Sequence, residues 1–147
     1  MRYLVPLCCL LLASCGSKPQ SADDFGTRDV TLPHGQVIKV ETMATPAEVQ
    51  RGLMYRTSLA QDRGMLFVHS MPGTYAYWMY QTLIPLDIIW MDSQHRIVQM
   101  VLNAQPCTTD PNKCTNYANT KPAKFVLEIN GGLAKKYGLE LDQTVQF

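Results

Sequence analysis

The chain has no long apolar run, no basic stretch, no nucleotide-binding loop and no familiar hydrolase motif, and each gap removes a class of function. Its main apolar segment, Tyr3 to Ser14, would rise only about 18 Å as a helix against roughly 30 Å of hydrocarbon, too short for a transmembrane span. Lys and Arg do not cluster or interleave with the aromatics, so the electrostatic footprint of nucleic-acid binding is missing. Gly-x-Ser-x-Gly, the Walker loop and His-Glu-x-x-His are absent, and no free Cys has a plausible base, which turns the expectation away from catalysis. His34, His69 and His95 lie far apart in expected turns or strand ends, without metal-ligand spacing. No metal or cofactor is therefore expected, and none of the three is given a role. Met54, Met65, Met79, Met91 and Met100 sit in apolar segments, which suits core filling rather than copper binding.

What the N-terminus does contain is Leu12-Ala13-Ser14-Cys15, closing the apolar segment that follows Arg2. This resembles the bacterial lipobox, in which the cysteine is acylated, becomes the mature N-terminus and holds the protein to a membrane through several acyl chains. The expected division is a signal peptide over 1–14, a tether over 15–27 starting at lipidated Cys15, and one domain over 28–147. The resemblance implies a cell-envelope address. Gly16 after the cysteine points, in a Gram-negative organism, to the outer membrane facing the periplasm.

Removing 14 of 147 residues leaves 133, enough for one domain with its own core, and a monomer is expected. Of the 13 Lys and Arg only Arg2 precedes Cys15, so the remainder carries 12 basic and 12 acidic side chains. Cys107 and Cys114 are then the last two thiols, and an oxidising envelope favours a disulfide between them.

Val30 and Leu32, then Val37, Ile38 and Val40, flank Pro33-His34-Gly35 and read as two strands joined by a turn. Thr45-Pro46-Ala47-Glu48 reads as a helix start with a capping box, ending near Gly52 to Tyr55. Strands are expected over 64–68, 75–79, 84–91, 97–102, 125–129 and 144–147, with a short helix after Gly131-Gly132 ending at Gly138. Four strands in quick succession suggest a meander or sandwich. The fold class is mainly β (α+β), a compact antiparallel β-sandwich or barrel with two short helices.

Asp87, inside Leu86-Asp87-Ile88-Ile89-Trp90-Met91, shares a face with Ile89 and Met91, and both faces look buried. An ionised carboxylate there needs compensation, either from backbone amides or from Arg51 or Arg56 near the helix end. Two readings stay open, a structural lock and a charged pocket for a polar ligand. Glu128 alternates with Phe125, Leu127 and Ile129 onto a wetter face, just before Gly131-Gly132, where helix N–H groups could hold an anion. Tyr75, Tyr77, Trp78 and Tyr80 crowd one strand, as core packing or as a stacking surface.

Arg51-Gly52-Leu53-Met54-Tyr55-Arg56, Gly64 to Val68, Trp78-Met79, Thr82 to Ile89 and Val126-Leu127-Glu128 together resemble the DUF192 family, over about 28–147. The resemblance implies a small β-sandwich or barrel with short helices, often in exported or membrane-linked proteins. It marks Arg51, Arg56, Trp78, Met79, Thr82, Asp87 and Glu128 as family-typical. Tyr80-Gln81 stands where the family usually shows Lys-Asn, and Leu141-Asp142-Gln143-Thr144 replaces a more usual Val-Gly-Asp-Arg turn. The leading expectation is a lipid-anchored envelope module that binds a small polar ligand or an envelope protein through Arg51, Arg56, Trp78, Asp87 and Glu128. The rival is an envelope hydrolase or transferase with Asp87 or Glu128 as base and Arg51 or Arg56 as clamp. A third possibility is a partner module acting through its aromatic surface.

Overall fold

The computed structural model describes residues 26–147. The lipobox cysteine Cys15, the signal over 1–14 and nearly all of the tether lie outside the described residues. β1 (Thr27–Thr31) and β2 (Val37–Met43) form the expected antiparallel hairpin, with Val30 opposite Ile38. α1 (Pro46–Arg51) follows with the capping box in place: Thr45 accepts from the Glu48 backbone N–H, and Glu48 accepts from that of Thr45. After α1 the chain returns as β3 (Arg63–Gly73), which lies parallel to β2.

β4 (Ala76–Trp78) leaves the main sheet and pairs with β7 (Asn116–Ala118) in a separate two-stranded ribbon. β5 (Leu86–Met91) and β6 (Ile97–Ala104) make an antiparallel hairpin across Asp92 to His95. β8 (Ala123–Asn130) inserts between β3 and β5, so the main sheet runs β1-β2-β3-β8-β5-β6. The meander expectation fails here: β3, β4 and β5 are successive in the chain, yet β3 and β5 are bridged by the late strand β8. One β2–β3 pair is parallel and all other pairs are antiparallel, so the main sheet is mixed. The result is sandwich-like rather than a closed barrel, with α2 (Leu133–Lys136) as the second short helix.

Side-chain alternation divides the core between the two faces of the sheet. Leu66, Ile89, Met91, Leu127 and Ile129 pack with Leu133 and Ala134 of α2 and with Val145. Met65, Phe67, Ile88, Trp90 and Val126 pack on the other face with Leu53 after α1 and Tyr77 of β4. β5 is buried at all six positions because both faces are covered. The expected terminal strand over 144–147 is reduced to single bridges, Arg96 with Thr144 and Thr31 with Gln146. Cys107 and Cys114 form the expected disulfide, closing the loop that leads into β7.

Candidate functional site

A cleft of about 330 Å³ opens on the second face of the sheet, between the end of α1, β3, β4 and β8. The local sequence explains its shape. α1 stops at Gly52, whose φ of +45° lies in the left-handed region and whose α-carbon faces the ring of Phe67, a β-carbon there reaching 3.3 Å from Phe67 Cζ. The chain therefore turns sharply over β3, leaving Arg51 exposed at the rim. Gly64 lets β3 approach β8 closely, since a β-carbon would sit 2.7 Å from the Glu128 carbonyl oxygen. Glu128 is thereby fixed opposite Met65 of β3 and Ile88 of β5, on the face that the cleft occupies.

Glu128 is only 5 % exposed, yet it lines the cleft and accepts no side-chain hydrogen bond from a described residue. Desolvation alone raises its pKa to about 8, which leaves it mostly protonated at neutral pH. Around it the walls are aromatic: Phe67, Tyr75, Tyr77 and Trp78 all border the same space. Tyr77 meets Phe67 edge-on at 5.1 Å and Trp90 edge-on at 6.0 Å, while Trp78 stays 40 % exposed beside Tyr80. His69 stacks on Tyr75 and its Nε2 lies 3.0 Å from the Tyr77 hydroxyl. Burial lowers the pKa of His69 and, with the nearby Glu128, raises that of Tyr77, so both are neutral at pH 7.

Asp87 lies elsewhere and is fully buried. Its Oδ1 accepts from the backbone N–H of Asn103 at 2.7 Å and of Gly132 at 3.0 Å, and its Oδ2 from that of Ala134 at 2.7 Å. The β5–β6 register slips between Leu86 and Ile88, so Leu102 and Asn103 both stand across from Asp87. That bulge turns the Asn103 N–H inward. The N–H groups after Gly131, considered above as an anion site, are occupied by the chain's own carboxylate. Of the two compensations expected for Asp87, the structure has the backbone amides, and neither Arg51 nor Arg56 reaches it.

Arg56 is likewise outside the cleft. It clamps Glu41 with two hydrogen bonds of 2.5 and 2.6 Å, which hold the Glu41 carboxyl below its usual pKa. Of the five residues marked in the sequence, the structure brings Arg51, Trp78 and Glu128 together and sends Asp87 and Arg56 away. It adds Thr82, which is 4 % exposed, and His69, which had been given no role. The alternation Met65, Phe67, His69 along β3 was the available signal for His69. Glu128 is on the expected face, but that face is roofed by α1 and β4 rather than wet.

The DUF192 profile, described as Uncharacterized ACR, COG1430, matches residues 30–147. A solved structure of a protein of unknown function from Novosphingobium aromaticivorans DSM 12444 is similar at 36% identity, with a TM-score of 0.74, covering 82% of this chain and 84% of that one. A second, from Sinorhizobium meliloti 1021 and provisionally labelled a transcription regulator, is similar at 28% identity and a TM-score of 0.71, covering 80% of this chain and 89% of that one. Among curated proteins, none matches the sequence.

Proposed function

Because this chain belongs to the DUF192 family, which is uncharacterised, we propose from its own geometry that it is a lipid-anchored envelope module whose cleft binds a small ligand. One observation carries the binding part: a carboxyl group buried in a concavity with no hydrogen-bond partner among the described residues. The Glu128 oxygens still meet a little solvent in the cleft, and a ligand donor reaching them would replace that water with a directed hydrogen bond in a largely desolvated site. The lipobox-like Leu12-Ala13-Ser14-Cys15 supports the address.

The geometry favours binding over turnover. Asp87 is saturated by three backbone donors and Arg56 is engaged by Glu41, so the hydrolase or transferase reading loses two of its four groups. Transcription regulation, the role attached to the Sinorhizobium relative, gains nothing from a charge-balanced surface without a basic stripe.

A fragment screen by NMR on the full chain tests the cleft. Hits should shift the amides of Gly52, Trp78 and Thr82 and be lost in Trp78→Ala; hits scattered over the surface would refute the reading. For the anchor, the expressed chain should incorporate labelled palmitate and Cys15→Ser should abolish it. Equal labelling of both would remove the lipid from the account.

A further inference from the structure

The geometry points to a specific ligand class for this cleft: a small zwitterion, with an ammonium group at Glu128 and a carboxylate at the mouth beside Arg51. This deepens the cleft reading above and rests on it. Three observations converge on an ammonium inside. Glu128 is enclosed, directed into the cleft and without a partner among the described residues. Its surroundings are Phe67, Tyr75, Tyr77 and Trp78, whose electron-rich ring faces attract cations. A carboxylate can accept several N–H bonds, and no other fixed anion lines the cleft to compete for them.

Arg51 sets the other end. It is the single fixed cation among the lining residues, is exposed, and makes no ion pair with a described residue. A simple amine would meet its like charge on entry, whereas a ligand that is negative at its far end would not. A buried carboxyl group and an exposed guanidinium lining one aromatic cleft therefore match a small dipolar molecule.

Binding also moves a proton. The resting carboxyl is mostly neutral at pH 7, so an incoming ammonium retains its own proton while the Glu128 proton leaves to solvent, completing an ammonium–carboxylate pair. The groups facing Glu128 do not reverse this sign. From β3, His69 is neutral above about pH 6.5, its ordinary pKa, since burial lowers its own; from β4, Tyr77 stays protonated, with Tyr75 beside it. β5 contributes Ile88 and Trp90, which do not titrate; α1 contributes Arg51 at the rim, while its Glu48 is held in the capping box.

The test titrates the full chain, by NMR, with three matched series: ω-aminoalkanoates, alkylamines and alkanoates of equal chain length. The amino acids should bind best, the amines at least several-fold more weakly, and the alkanoates weakest. Glu128→Gln should remove the preference for amino acid over alkanoate, and Arg51→Gln the preference for amino acid over amine. Affinity for the amino acids should rise towards tenfold per pH unit from about pH 6 and level off above about pH 8 to 9. Alkanoates binding best, or affinity falling as pH rises, would overturn the ammonium assignment while leaving the cleft reading intact. Silence from all three series alongside cleft hits in the fragment screen would do the same. Silence in both experiments would overturn both.

Discussion

Two buried carboxyl groups in this molecule have opposite fates, and their neighbours decide which. Asp87 is surrounded by backbone donors, so its carboxyl group is part of the fold: it ties β5 to the β6 bulge and to the start of α2. Asp87→Ala would strand three N–H groups, and a loss of about 3 to 5 kcal/mol is expected in denaturant unfolding. Arg56→Gln, which breaks a pair that is one-third exposed on both sides, should cost no more than about 1 kcal/mol. Equal effects would mean that Asp87 is not the lock described. Glu128 has desolvation without donors among the described residues, and the consequence for pH is definite. Its folded pKa of about 8 exceeds the ordinary 4.5, so the folded state holds the proton more tightly. Stability from this group is fully present below about pH 4.5 and declines as pH rises to about 8. Glu128→Gln should therefore be indistinguishable from the parent near pH 4 and more stable by about 4 kcal/mol near pH 8, measured by thermal unfolding. A gap that does not change with pH would contradict this.

At the scale of elements, what could be read from sequence was what local chemistry dictates. Thr45-Pro46-Ala47-Glu48 specifies its own helix start, because capping groups three residues apart satisfy each other without help from the rest of the chain. The hairpins β1–β2 and β5–β6 were legible for the same reason, having turn residues between alternating apolar runs. The long-range choices were hidden. Nothing local tells Phe125 to Ile129 to insert between β3 and β5, nor tells Tyr75 to Trp78 to leave the main sheet for the Cys107–Cys114 loop region. That is why Glu128 looked solvated and why Asp87 stayed open between backbone amides and an arginine. α1 now acquires a second role, since it roofs the cleft. Thr45→Ala should cost about 1 kcal/mol in global stability and broaden the amide signals of Gln50 to Gly52. Unchanged stability would show that the roof is held by Leu53 packing alone.

For the whole molecule, the two faces of one mixed sheet have separate tasks. The face under α2 and the C-terminal segment is closed, with Asp87 sealed at its edge; the face under α1 and β4 remains open at a cleft. The residues marked from sequence split along the same division, Arg51, Trp78 and Glu128 on the open side and Asp87 on the closed one. The account depends on Glu128 being an enclosed, unpaired acid at the base of that opening. Following its side-chain carboxyl carbon by 13C NMR through a pH titration of the full chain tests this most directly. A midpoint near 8 is expected; a midpoint near the ordinary 4.5 would contradict the account.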